Sequence, residues 1–448
     1  MEDLTTGSIA RHLLKTTSFM LVTMVFQTLY FLVDLYWVGR LGKEAIAGVG
    51  IAGNLTFIVL AITQMLGVGT TTLISHASGR KDRDHAQRVL NQSLLLAGAI
   101  GAAFLMIVTA LRATYVNSLS PDPVSAKSAN DYLSWFIPAM ALQFPMVVMA
   151  AALRGTGNFK PGMVVQTATV ILNILFAPAL MFGWITGSPM GVAGAGLASF
   201  IAIIVGTMWL AVYFVPAAAY LRFHAELTPR ASLWAQILKI GLPAGVEFAL
   251  IAVYLFIVYT VSRPFGAGAQ AGFGIGQRII QAGFMPIVAL GFAVAPVAGQ
   301  NFGARHSHRV RETFRRATVF SAAVMLLFTL ACNLVPEPMI RFFSSDPGVI
   351  AVGAEYLRIV SWSLVASGII FVNGSMFQAM GNTIPPLVAS FTRILVVAIP
   401  ALLFARMAGF ELRWIWYLSV AATILQLLLN LTLLKREFRT RLRFEAVG

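Results

Sequence analysis

An all-α integral membrane protein of twelve transmembrane helices, in two parallel six-helix lobes related by a pseudo-two-fold axis along the membrane normal, is predicted by three observations. Apolar residues make up 58% of the 448 positions and charged residues 11%, with a mean hydropathy of +0.80, outside the range of soluble globular chains. Apolar runs of about 20 residues, long enough to cross a hydrocarbon core of ~30 Å at 1.5 Å per residue, recur twelve times between Thr16 and Leu434. The second half of the chain also repeats the first at a constant offset.

Residues 1–7 are polar and expected to be loose. The first span is expected over residues 16–38 and the second over 45–77, ending at the basic loop GRKDRDHAQR. The third covers 93–113 and reaches the loop NSLSPDP, rich in turn-forming Ser, Pro and Asp. The fourth, 132–153, closes on the turn RGTGN; the fifth, 163–182, carries Asn173 and Pro178. The sixth, 191–215, carries Gly191, Ala195 and Ser199 at the four-residue spacing that lets membrane helices approach closely. The first span lacks a cleavage-like site and runs on into a second span, so no removable signal peptide is expected. Cys332 is the single cysteine, which excludes an intrachain disulfide.

A linker, AAAYLRFHAELTPRASLW, separates an N-lobe of residues 1–222 from a C-lobe of 223–448. An offset of 224 takes Lys15 onto Lys239, AIAGVGIA onto AQAGFGIG, Gly79 onto Gly303 and Asp122-Pro123 onto Asp346-Pro347. It also takes Tyr132-Leu133 onto Tyr356-Leu357 and Gly157-Asn158 onto Gly381-Asn382. Six spans per half bring the second half in from the same side as the first, hence parallel repeats. Transporters place the substrate path between such halves.

The net charge of +15 is unevenly placed, with twenty-one Lys and Arg flanking the spans on the side of both termini and eight on the other. The positive-inside rule makes the rich side cytoplasmic, at a bacterial-type inner membrane. That face suits anionic lipid headgroups rather than nucleic acid.

Asp34 stands among Leu32, Val33, Leu35 and Trp37 in the first span, ~27 Å along the axis from Thr16. An ionised carboxylate there costs several kcal/mol, roughly, to hold in hydrocarbon, so it points to function as a cation-coupling group. Gln27 and Tyr30, seven and four residues earlier, share its helix face and define a polar cavity stripe. Gln166 and Asn173 are likewise seven apart in the fifth span, and Pro178 removes a backbone hydrogen bond and opens that helix. Glu247, four residues after Pro243, can pair with Arg278 or reach water, a structural, gating or secondary coupling role. Arg278 and Arg393 are expected to be tied to helix ends or carboxylates rather than to substrate, and Arg278 joins Glu247 as a candidate for secondary coupling or gating. Histidines lie near loops without the partners a metal site needs, and no metal or cofactor is expected. No phosphate-binding glycine loop or hydrolase motif is present, which argues against an ATPase or an enzyme.

The segments LVDLYWVGRLGKEAIAGVG, LRGTGN, GIGQRI, FMPIVALGFAVAPVAGQNFGA and QAMGNTIPP, together with the basic loop after ISHASG, resemble the multidrug and toxic compound extrusion (MATE) family over all twelve spans. The pattern is closer to its DinF-like branch. By that resemblance Asp34 is the cation-coupling aspartate, Gln27, Tyr30 and Asn173 line the N-lobe cavity, and Ser199 holds the place of a small hydroxyl residue. The family's N-x-x-x-D-P pattern reads Asn173 to Pro178 here with Ala177 in place of the aspartate, so a second N-lobe carboxylate is missing. The tenth span also has no acid between Tyr356 and Gln378.

These readings together predict a monomeric secondary antiporter that exchanges protons, rather than sodium, for amphiphilic and often cationic organic compounds. Sodium is a hard cation that needs several oxygen ligands, commonly including carboxylates, whereas a proton needs one base. The alternatives are a lipid-linked saccharide flippase, which needs extra helices and a cationic cavity, and an intramembrane lipid enzyme, which needs a second catalytic group beside Asp34.

Overall fold

The computed structural model describes residues 1–443 apart from 121, 217, 218 and 225. Helices account for all the regular structure among the described residues, and twelve of the spans are long and apolar enough to cross a membrane. They begin with α1 (Ile9–Gly39), α2 (Lys43–Gly79), α3 (Arg83–Leu119), α4 (Pro123–Gly155), α5 (Lys160–Met181), α6 (Val192–Val212) and α7 (Ala231–Ser262). After α8 (Ala267–Gly303) and α9 (Ser307–Leu334), a short α10 (Pro336–Arg341) precedes α11 (Pro347–Val360) and α12 (Leu364–Ala379). The last two are α13 (Ile384–Phe404) and α14 (Arg413–Arg441).

The chain forms two compact units, the first of residues 1–3 and 18–245, the second of 4–17 and 246–448. In the first unit α4 is central, packing on α2, α3 and α6, while α5 lies on α6. Backbones touch where glycine permits it: a Cβ on Gly48 of α2 would stand 2.8 Å from the Ala129 backbone nitrogen of α4. The linker is held to this unit, for Arg83 donates to the carbonyls of Tyr220 and Ala219, both at 2.8 Å. Gln92, buried, donates to the Thr228 carbonyl and accepts from the Arg230 N–H.

In the second unit α8 packs on α9, α11 and α12, and α14 packs on α11, α12 and α13. Residues 4–17 belong to it, and the N-terminal stretch is not loose. Leu4 is fully buried; its N–H donates to Gln300 Oε1 at 3.0 Å and its carbonyl accepts from Asn301 Nδ2 at 3.1 Å. Arg309 adds a bond to the Gly7 carbonyl at 3.0 Å. These partners come from the far half of the sequence, so local polarity alone misleads.

The 224-residue repeat is written into backbone detail. Lys81 and Arg305, the two non-glycine residues with positive φ among those described, are repeat mates at φ 59 and 60°. Gly42 and Gly266, at φ 112 and 89°, cap α2 and α8. Asp122 and Asp346 each cap the next helix by accepting backbone N–H bonds, and proline follows at the first helical position. One difference is local: α4 is continuous, whereas its counterpart breaks into α11 and α12 at a 3-10 turn, Ser361–Ser363. There Thr329 Oγ1 donates to the Ser361 carbonyl at 2.9 Å and Asn333 Nδ2 to Ser361 Oγ at 2.9 Å, so α9 takes up groups of the turn.

Three expectations for the first unit change. Gly191 lies in the cap before α6 with φ 58°, outside the helix; Gly194 and Gly196 make the close approaches instead, to Leu180–Met181 and to Tyr132. Pro178 stands in the last turn of α5, three residues from its end, so it does not open the helix midway. The basic loop also shrinks to Arg80, Lys81 and Asp82, because Asp82 accepts the His85 N–H at 3.0 Å and starts α3 there.

Candidate functional site

Four helices of the first unit, α1, α4, α5 and α6, bring Tyr30, Tyr132, Asn173 and Ser199 together. Ser199 Oγ accepts from Asn173 Nδ2 at 3.0 Å and shares a hydrogen bond of 3.0 Å with Tyr30 Oη. One hydroxyl thus joins α1, α5 and α6, which is what a small polar residue on a buried helix face can do. Asn173 and Ser199 are 3% and 4% exposed.

Asp34 lies one turn beyond Tyr30 on α1, within electrostatic reach of Tyr30 and Tyr132. Its Oδ1 is buried and accepts no hydrogen bond among the described residues. No cation lies within ion-pair distance of Asp34 among the described residues. An acceptor in that position gains most from a proton, because protonation removes the charge and supplies a donor. Ala177, where the resemblance expects a second carboxylate, is buried at 1% exposure among apolar residues.

Tyr132 is the member that reading the sequence for function passes over. Its signal lay in the repeat, where Tyr132 and Tyr356 are paired. It is held by close approach of Gly196 to its carbonyl and by Phe136, whose ring centroid is 4.7 Å away. Gln27 and Gln166 are half-buried and lie outside the Ser199 hydrogen bonds. Beyond Asp34, Trp37 meets Phe182 and Trp184 edge-on at 6.0 and 5.8 Å, and Arg40 lies over Tyr36 and Trp37. Aromatic rings and an arginine at a helix end mark the membrane–water boundary.

The second unit repeats part of the cluster. Tyr254, the mate of Tyr30, bonds Ser419 at 2.9 Å, and Tyr356, the mate of Tyr132, donates to Gln277 Oε1 at 2.6 Å. Val258 occupies the counterpart of Asp34 and is 1% exposed. Glu247 is not within ion-pair distance of Arg278; Ser390 donates to its Oε1 at 2.7 Å, and Gln426 donates to that same hydroxyl at 3.0 Å. Arg278 is exposed on α8. Arg393 departs from the expected carboxylate or helix-end partner; its guanidinium lies over the Tyr254 ring, 5.3 Å from the centroid.

Known proteins share this architecture. A probable multidrug resistance protein NorM of Thermotoga maritima is 26% identical over 433 residues, which cover 95% of this chain and 93% of that protein. The multidrug export protein MepA of Staphylococcus haemolyticus is 24% identical over 90% of this chain and 89% of its own length. A solved outward-facing multidrug resistance transporter of the MATE family superimposes with a TM-score of 0.90 at 22% identity, over 98% of each chain, a likeness of fold. The MatE family profile matches residues 20–179 and again 243–403, each stretch starting and ending 223 or 224 residues apart. Those two matches cover most of both units and follow the internal repeat, and the chain therefore belongs to the MatE family, the multidrug and toxic compound extrusion transporters.

Proposed function

We propose that the chain is a secondary multidrug exporter that exchanges protons for amphiphilic, often cationic organic compounds by alternating access. It is a transporter, not an enzyme. Membership of the DinF-like branch is part of this reading, as are a monomeric state, contact with anionic lipid, an inner-membrane location and both termini in the cytoplasm.

The observation that carries the reading is Asp34: a carboxylate in a membrane span whose Oδ1 is buried without a partner, next to neutral hydroxyl and amide groups tied to each other through Ser199. Ionised, Asp34 favours an arrangement in which water or a cationic substrate reaches it. Protonated, it favours a closed apolar surround. A ligand shifts such an equilibrium by its differential affinity for the two states, and here the proton is that ligand. Sodium fits less well, since Ser199 Oγ is already engaged by Asn173 Nδ2 and Tyr30 Oη and Ala177 contributes no oxygen. Glu247, bonded to Ser390, is the secondary coupling or gating candidate, and Gln27 and Gln166 are cavity-lining candidates.

Asp34→Asn tests the reading, because the amide preserves shape and removes titration. The variant is expected to reach the membrane at wild-type level and to lose gradient-driven export of a cationic dye. Normal export by well-expressed Asp34→Asn would overturn the assignment and direct attention to Glu247.

A further inference from the structure

The second unit carries a guanidinium inside a membrane span, that of Arg393 on α13. Arg393 is half-buried on α13, its Nε is buried without a hydrogen-bond partner, and no carboxylate lies within ion-pair distance among the described residues. Hydrocarbon makes such a charge costly, so an arginine kept there has a partner or a task. The nearest acid along α7 is Glu247, seven residues before Tyr254, and its Oε1 is taken by Ser390. What Arg393 does have is the face of Tyr254, 5.3 Å away, with the Tyr254 hydroxyl fixed by Ser419 at 2.9 Å. Cation–π contact orients a guanidinium without using its N–H donors, which stay available for an anion.

A Tyr–Ser bond beside a second tyrosine occurs in both units, made in the second by Ser419, one turn before Thr423, the repeat mate of Ser199, yet one cluster holds Asp34 and the other holds Val258 and Arg393. The repeated scaffold has been given opposite charge in its two copies.

We infer that Arg393, oriented by Tyr254, is the anchor of an anion-binding subsite that takes the carboxylate of an amphiphilic molecule. A planar guanidinium matches a carboxylate by paired N–H···O bonds, and the aromatic wall suits the apolar remainder of such a ligand. The inference deepens the proposed export function, on which its physiological meaning rests: compounds handled by this protein include carboxylates and zwitterions as well as cations.

The test uses the full-length purified protein in a neutral maltoside detergent and two probes, dansylglycine and dansylglycinamide, which differ in whether the end group is a carboxylate or a neutral amide. Wild type is expected to bind dansylglycine at least tenfold more tightly than the amide. Arg393→Gln is expected to reduce that ratio at least fivefold, and Arg393→Lys, which keeps the charge and loses the fork, to retain a preference between the two. Unchanged elution and thermal unfolding of each variant show that the fold is intact, and the Lys variant carries the test if the Gln variant unfolds. The same ratio in Arg393→Gln as in wild type, or a wild type that binds neither probe, overturns the inference. The readout is separate from transport. Proton-driven dye export without carboxylate preference leaves the proposed function standing and removes the subsite, and carboxylate preference without such export does the reverse.

Discussion

Ser199 is the residue on which the first unit's cluster depends. It accepts from Asn173 of α5 and is bonded to Tyr30 of α1, one turn from Asp34. Ser199→Ala leaves a buried amide donor unsatisfied, which costs about 1–3 kcal/mol in proteins generally. Thermal unfolding of the purified variant is expected to show a loss of that order, and a double-mutant cycle of Ser199→Ala with Asn173→Ala is expected to be clearly sub-additive. Additive effects would mean that the two side chains act independently. Asp34 itself was legible as a lone acid in an apolar run, and Tyr30 by its spacing from it. Tyr132 and the role of Ser199 as a junction were not, because the junction joins residues 26 and 169 positions apart in sequence, which no helical period encodes.

At the scale of the helix, glycine sets how closely α2 and α4 approach. Gly48 faces the α4 backbone, where a Cβ would stand 2.8 Å from the Ala129 nitrogen, whereas Gly50 faces open space. Gly48→Ala is therefore expected to lower stability by about 1–3 kcal/mol through overpacking. Gly50→Ala is expected to be neutral or to stabilise by up to about 1 kcal/mol through helix propensity. Unfolding midpoints of the two variants check the pair; equal effects would contradict the packing account. Existence and order of the helices were readable from hydropathy, and their caps from Asp-Pro and Gly punctuation. Their lengths were underestimated, since α3 and α4 extend several polar residues beyond the apolar core that marks the span. The break at Ser361–Ser363 was not legible, because Thr329 and Asn333 of α9, 32 and 28 residues earlier, bond groups of its turn.

For the whole molecule, the internal repeat was the most informative feature of the sequence. It was readable from six landmarks and reappears in paired φ angles, paired caps and the doubled family match. The charge bias sets the proposed orientation, which a cysteine scan checks directly, since Cys332 is buried and gives little background. Asp82→Cys is expected to react with a membrane-impermeant maleimide only after permeabilisation, and Ser188→Cys, exposed between α5 and α6, from outside intact cells. Labelling of position 82 from outside would reverse the topology.

The central claim is that a proton at Asp34 drives export, and reconstituted vesicles test it most directly. Purified protein in proteoliposomes, with voltage clamped, is given either a pH gradient without sodium or a sodium gradient without a pH gradient, and antiport of a cationic dye is followed. The account predicts dye movement with the pH gradient in wild type, none in Asp34→Asn, and none driven by sodium beyond a potassium control. Robust antiport under the sodium gradient, absent when potassium replaces sodium, would contradict it.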